Sequence, residues 1–210
     1  MTDGMIGPGD RAPDFELPAA DGEGTVSLSL WRRRGPVLVA LFRGLYCPFS
    51  RRQMVQLGLL ADRLRLLGVE PLGVVATAPE RARPYFAHHP PCFRFGADPG
   101  LVTHHAYRLP ALPRDAEGVR MVEAAAQRVA REIGLAAEPG HGRDTIDRAD
   151  GFVSQPSDRE DRERHQIQLI GQFLVDRDGM VRWSSTEAIA GYAVFPLERD
   201  LVAAAEALRR

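Results

Sequence analysis

Cys47 stands in "FRGLYCPFSRRQ" (Phe42 to Gln53), directly before a proline and three residues before a serine, with Arg43, Arg51 and Arg52 close by. A cysteine attacks as its thiolate, and a helix N-terminus favours that anion through its free N–H groups and macrodipole. Pro48 suits the first position of a helix, where its fixed φ helps and its missing N–H is not needed. Cys47 is then the N-cap, with the N–H groups of Phe49 and Ser50 in reach of its sulfur. Arg43, Arg51 and Arg52 could add positive potential, and one dimension does not say which of them faces the sulfur. The competing reading is a buried, inert thiol, since free cysteine is among the most buried residue types.

Ser50 decides what a reactive Cys47 could do. In a CxxC helix start the second thiol attacks the mixed disulfide; a serine keeps a hydrogen-bond donor near the sulfur but cannot make that attack. The chemistry is then that of one thiol with an external reductant. Cys92 does not fill the vacancy: it begins its strand whereas Cys47 follows the end of its own, so parallel strands would hold them roughly 20 Å apart at ~3.3 Å per residue. A disulfide needs Cα atoms within ~7 Å, and Cys92 is read as structural. His88, His89, His104 and His105 lack a cysteine or acidic cluster at zinc-like spacing, so no metal is expected. His88 and His89 suit a helix C-terminus as cations or donors. Phosphate-cradling glycine motifs are missing, and no cofactor is expected.

Several elements must position this cysteine. "PVLVALF" (Pro36 to Phe42) is a continuous apolar run, as in a strand buried on both faces of a parallel sheet. Leu57, Leu60, Leu64 and Leu67 recur at helical spacing up to Gly68, predicting a helix from Pro48 to Leu67. Phe15, Leu17, Val26 and Leu28 alternate around a glycine turn and predict an N-terminal hairpin. "VEPLGVVAT" and "CFRFGAD" read as strands, "APERARPYFAHH" as a helix despite Pro84, and "PGLVTHHAYRL" as a helix opening at Pro99. "IQLIGQFLVD" and "GMVRWSS" flank a turn, and "LERDLVAAAEALRR" is a terminal helix. The order is that of an α/β sandwich with a mixed sheet, read as one domain over 1–210 interrupted by an insertion at 110–166. Within it Val119, Val122, Ala126, Val129 and Ile133 predict an amphipathic helix packed on the parent core, with a dimer contact or a lid as the other readings. "SDREDRERH" reads as a solvated loop or fraying helix.

The chain has 210 residues, 44% hydrophobic and 26% charged, enough for a full core and incompatible with general disorder. A net charge of −1 gives no global attraction to nucleic acid or an anionic membrane, and neither is expected as a partner. All 27 basic residues are arginine, which with abundant alanine and glycine reads as coding bias. The opening residues lack a signal-like or bilayer-spanning run, so a cytoplasmic location is expected.

The blocks "GDRAPDFELPAADGEGTVSLSL", "GPVLVALFRGLYCPFS", "FGADPGLVTHHAYRL" and "GQFLVDRDGMVRW" resemble those of the peroxiredoxin-like branch of the alkyl hydroperoxide reductase/thiol-specific antioxidant superfamily. The resemblance implies a thioredoxin-like, peroxiredoxin-type α/β/α sandwich with an N-terminal β-hairpin. It places Cys47 at the peroxidatic cysteine and Tyr46 at the aromatic residue that precedes the active cysteine in many relatives. The implied activity is an antioxidant oxidoreductase acting on a small hydroperoxide or disulfide, reduced by an external thiol, with a homodimer as the assembly left open. Candidate catalytic residues are Cys47, Ser50, Arg43, Arg51 and Tyr46. The family's PxxxTxxC pattern would need proline at Ala40 and threonine or serine at Gly44, and its peroxide-binding arginine would fall at Ile170, where thioredoxins carry their cis-proline. Ser50, Arg43, Arg51 or backbone N–H groups must then supply the donors. The other readings are a monothiol, glutaredoxin-like thiol-disulfide oxidoreductase and a non-catalytic interaction module.

Overall fold

The structure, a computed structural model, describes residues 4–209. The first three residues of the N-terminal stretch and Arg210, the expected end of the last helix, lie outside the described residues. A short hairpin, β1 (Glu16–Pro18) and β2 (Thr25–Ser27), opens the fold and runs straight into helix α1 (Leu28–Arg32). Leu28 therefore begins a helix, capped by the Ser27 hydroxyl, and does not extend the strand. There follow β3 (Val37–Phe42), α2 (Pro48–Leu66), β4 (Glu70–Val75), α3 (Pro79–His88), β5 (Arg94–Ala97) and α4 (Val102–Ala106). Next come α5 (Ala116–Glu132), α6 (Gly142–Ala149) and α7 (Pro156–His165), and then β6 (Gly171–Val175), β7 (Val181–Thr186), α8 (Glu187–Ala190) and α9 (Glu198–Ala207).

The main sheet has the order β5-β4-β3-β6-β7, with β3, β4 and β5 parallel and β6 and β7 antiparallel to their neighbours. β3 is central and buried along its whole length, as its unbroken apolar run requires. Leu38, Ala40 and Phe42 face a core built with α2, α3 and α9. Val37, Val39 and Leu41 face the other core, with Leu28, Tyr107 and the hairpin. The alternation along one strand thus makes the three-layer sandwich.

The register fixes which residues share the rim where β3 ends. Leu41 pairs with Gly171, and Gly171 with Thr186. Arg43, Ile170 and Glu187 therefore emerge together at the C-terminal edge of β3, the edge where open α/β sheets place their sites.

Two local expectations are corrected. The helix after β5 starts at Val102, because Pro99 and Gly100 form a turn and Leu101 takes a left-handed φ of 58°. Of the two readings of "SDREDRERH", loop or fraying helix, the helix is observed, but not a fraying, solvated one: the run lies in α7, entered through a capping box of Gln155 and Asp158, with Asp158 and Asp161 buried. Asp158 accepts two hydrogen bonds from Arg81 Nε, at 3.1 and 3.0 Å, and a third from its Nη2 at 2.8 Å. Such a partly buried pair ties α7 to α3, and removing one partner leaves an uncompensated charge. Asp158→Ala is expected to destabilise the protein by about 3 kcal/mol, read as a lower urea midpoint.

Candidate active site

Cys47 caps α2 with extended backbone and with Pro48 at the first helical position, as the sequence predicts. It is 1% exposed. The sulfur makes no full capping hydrogen bond; the Ser50 N–H faces it, and Phe49 contributes none. Its principal partner is a side chain: Arg43 Nε donates to Cys47 Sγ at 3.2 Å.

Arg43 is wholly buried and held from several sides. Its Nη1 donates to Glu187 Oε2 at 2.6 Å and to the Gln168 carbonyl at 2.9 Å, while Nη2 donates to Glu187 Oε1 at 3.0 Å. The Tyr192 ring lies 4.2 Å from its guanidinium carbon. The bidentate carboxylate sets the plane of the fork and leaves Nε aimed at the sulfur. Burial alone would push the Cys47 thiol up. The charges of Arg43 and then Arg143, the Arg43 hydrogen bond and the Ser50 N–H outweigh it, so the thiol is held below its ordinary value. Burial pushes the hydroxyls of Tyr46 and Tyr192 upward, keeping both protonated beside the thiolate.

The third apolar cluster of the molecule surrounds this pair. It joins Tyr46, Cys47 and Phe49 to Val122, Ala126 and Val129 of α5, Ile146 of α6, and Tyr192 and Ala193. The buried part of the α5 stripe thus covers the cysteine turn, whereas its ends, Val119 and Ile133, are exposed. Ala193 has φ of 57°. Its N–H donates to Glu187 Oε1 at 2.7 Å, and Arg128 Nη2 donates to the carbonyls of Tyr192 and Ala193.

The five candidate residues do not converge equally. Arg43 and Cys47 touch, and Tyr46 packs in the same cluster with its hydroxyl unpartnered among the described residues. The Ser50 hydroxyl is buried and equally unpartnered. Arg51 turns away: it donates to the Leu45 carbonyl at 2.8 Å, pairs with Asp147 at 2.6 Å and Asp150 at 3.4 Å, and stacks on Phe152. It braces the turn and does not reach the sulfur. Arg143, Glu187, Gln168 and Tyr192 were not found from the sequence. They lie in no motif around Cys47, and only the pairing register of β3, β6 and β7 brings Glu187 opposite Arg43. Arg143 donates to the Tyr46 carbonyl at 3.3 Å while its buried Nε has no partner among the described residues.

Gly44 has a steric reason. A Cβ there would meet the Ala76 carbonyl oxygen at 2.7 Å, Tyr46 at 2.8 Å and the Thr77 hydroxyl at 2.9 Å. That hydroxyl already accepts the Leu45 N–H at 2.9 Å. Gly44→Thr, which restores the family's residue type, is expected to destabilise by about 1–3 kcal/mol and to lower the urea midpoint without raising activity. Cys92 lies at the far end of the sheet, as the parallel order of β3, β4 and β5 dictates. It is exposed, beside Gly58, and its carbonyl accepts from Arg65. His88 and His89 place Nδ1 2.8 and 3.1 Å from the Pro84 and Tyr85 carbonyls at the end of α3.

The model of the AhpC/TSA family matches residues 8–184. The chain belongs to that family, which makes it a thiol oxidoreductase of thioredoxin fold. Peroxidoxin BcpB from Mycobacterium tuberculosis is similar in structure, with a TM-score of 0.62 at 12% identity over 98% of this chain and 99% of that one. So is a reduced 2-Cys peroxiredoxin of Plasmodium vivax, with a TM-score of 0.60 at 13% identity over 96% of each chain. At such identities the likeness establishes fold. No curated protein sequence matches the chain.

Proposed function

We propose that the protein reduces hydroperoxides through Cys47 in a one-thiol cycle completed by an external thiol. The observation that carries this reading is the Arg43 Nε to Cys47 Sγ hydrogen bond, made by a buried guanidinium that Glu187 orients. An inert cysteine needs no such partner, and a buried cation aimed at sulfur stabilises the thiolate. In the reaction the Cys47 thiolate attacks the terminal oxygen of R–O–OH. The S–O bond forms, the O–O bond breaks, and the sulfur becomes Cys47–SOH, oxidised by two electrons. The departing RO⁻ takes a proton and leaves as ROH. One external thiol then converts the sulfenic acid to a mixed disulfide with release of water, and a second releases the free thiol and a disulfide.

Charge moves from sulfur to the leaving oxygen during the first step, so donors must wait there beforehand. Arg43 supplies one charge. The unpartnered Arg143 Nε, Tyr46 hydroxyl and Ser50 hydroxyl supply buried polar atoms whose lack of partners costs about 1–3 kcal/mol each. A substrate oxygen would satisfy them. Together they take the part of the threonine and arginine that Gly44 and Ile170 do not provide. The Ile170 N–H is committed to Glu187 Oε2 at 3.1 Å, which removes a backbone donor that an extended disulfide partner would use. This favours a peroxide over a protein disulfide as the oxidant.

Titration with hydrogen peroxide, followed by trapping of sulfenic acid with a dimedone probe and peptide mass mapping, tests the reading. Stoichiometric labelling at Cys47 and return of the thiol on adding dithiol are expected. Labelling at Cys92 alone would refute it.

A further inference from the structure

A cavity of about 670 Å³ opens beside α2, α3 and α5, between the segment that follows α6 and the segment that precedes α9. That is the volume of a small-molecule site, and the thiol chemistry described above makes no use of it. Its walls are rich in rings: Phe49, Tyr85, Phe152 and Phe195 all line it. Tyr85 stacks on His89 with centroids 4.5 Å apart and planes at 19°, and meets Phe152 edge-on at 6.4 Å. The end of α3 and the chain at Phe152 thus present ring faces and edges together, the surface against which a flat aromatic molecule packs.

The charged groups on the lining are matched in place. Arg51 and Arg52 pair with Asp150, Arg81 with Asp158, and Glu132 with Arg128. No guanidinium or carboxylate is left over to hold an ion, and an ion brought against the apolar walls would lose its hydration without gaining a partner.

The polar groups that remain include the imidazoles of His88 and His89, which also line the cavity. The last carbonyls of a helix attract donors, and both rings turn back to theirs: Nδ1 of His88 lies 2.8 Å from the Pro84 carbonyl and Nδ1 of His89 lies 3.1 Å from that of Tyr85. A carbonyl oxygen only accepts, so Nδ1 carries the proton in both rings. In the neutral imidazole Nε2 is then an acceptor. Neither Nε2 makes a hydrogen bond among the described residues. The helix end therefore sets two acceptors at an aromatic cavity, and a ligand must bring the donor.

We propose that this cavity binds an uncharged, fused-ring aromatic compound bearing a hydroxyl group, with its rings against Tyr85, Phe152 and Phe195 and its O–H donating to Nε2 of His88 or His89. The site is separate from the thiol. Phe49 and Ala193 form its wall toward the Cys47 cluster, and occupancy requires neither of them to move. The proposal therefore stands independently of the reaction assigned to Cys47.

The test is calorimetric titration of the wild-type protein at pH 8 with three probes of similar shape: 2-naphthol, 2-methoxynaphthalene, which lacks the donor, and 2-naphthoate, which is an anion. Saturable binding of 2-naphthol is expected, about fivefold tighter than 2-methoxynaphthalene and at least about tenfold tighter than 2-naphthoate. This comparison needs no variant. Two variants then locate the site, both at exposed positions on its lining. Val153→Glu should weaken both neutral probes about tenfold. The double variant His88→Phe/His89→Phe keeps the rings but removes the acceptors, and should weaken 2-naphthol about fivefold while leaving 2-methoxynaphthalene within about twofold. Absence of saturable 2-naphthol binding, equal affinity for the two neutral probes, or preference for 2-naphthoate would overturn the proposal. Unchanged 2-naphthol affinity in Val153→Glu would place binding elsewhere and overturn it equally.

Discussion

Cys47→Ser is expected to abolish thiol-dependent peroxide reduction to the background rate, whereas Cys92→Ser leaves it within about twofold. The asymmetry follows from placement. Cys47 lies at the rim of the sheet within reach of a guanidinium, and Cys92 lies exposed at the opposite end. Serine at 47 keeps size and polarity but stays protonated at any working pH, so the nucleophile is lost without a large change in packing. A coupled assay that follows disulfide formed per peroxide consumed separates the two variants. Because only two cysteines exist in the chain, the Cys92→Ser protein also removes the one intramolecular alternative to an external resolving thiol.

The second large effect is expected at Arg43. Arg43→Met removes the hydrogen bond and the nearest positive charge from the sulfur and leaves Glu187 buried without its partner. Breaking a buried pair by deleting one member costs about 3–5 kcal/mol, and losing one preorganised donor to a developing charge costs roughly 10²–10³ in rate. The pH dependence carries a definite sign. In wild type the thiol is held below its ordinary value by Arg43 and Arg143 against burial, so activity persists toward neutral pH and falls as pH drops through that lowered value. The corresponding stability is present above the ~8.5 of the unfolded thiol and is lost as pH falls through the folded value. In Arg43→Met burial is opposed mainly by Arg143, and the limb moves to alkaline pH. The pH–rate profile measures this directly, and a merely destabilised enzyme with an unshifted profile would argue against the assigned role. Arg43→Lys keeps the charge but cannot span Glu187, Gln168 and the sulfur with one ammonium, so it should recover the pKa only in part.

The parts legible in the sequence are those that local periodicity encodes. The β3 run, the hairpin, the start of α2 at Pro48 and the capping position of Cys47 follow from buried-strand patterning and from proline's fixed geometry. α7 stays undecided between loop and fraying helix in the sequence because its residues are polar all round. Its stability depends on Asp158 meeting Arg81, seventy-seven positions away, which no local pattern reports. Proximity in sequence points equally to Arg43 and Arg51; in the structure Arg43 donates to the sulfur, and Arg51 is turned to Asp147 and Asp150. Nothing in one dimension separates the two, since both are four residues from Cys47. Glu187 lies 144 positions from Arg43. It becomes predictable only once β7 is placed beside β6 and β6 beside β3, for then the residue after Thr186 sits on the rim with Arg43.

These residues share one physical logic. Burial raises the cost of a thiolate, and at this one sulfur the charges of Arg43 and Arg143 together with the Arg43 and Ser50 hydrogen bonds outweigh it. The most direct test is the pKa of Cys47, measured by the ultraviolet absorbance of the thiolate across pH in the Cys92→Ser protein and again with Arg43→Met. A value clearly below the ~8.5 of free cysteine that rises above it on losing Arg43 is the predicted result. A value at or above ~8.5 in the presence of Arg43 would contradict an activated thiol at this site.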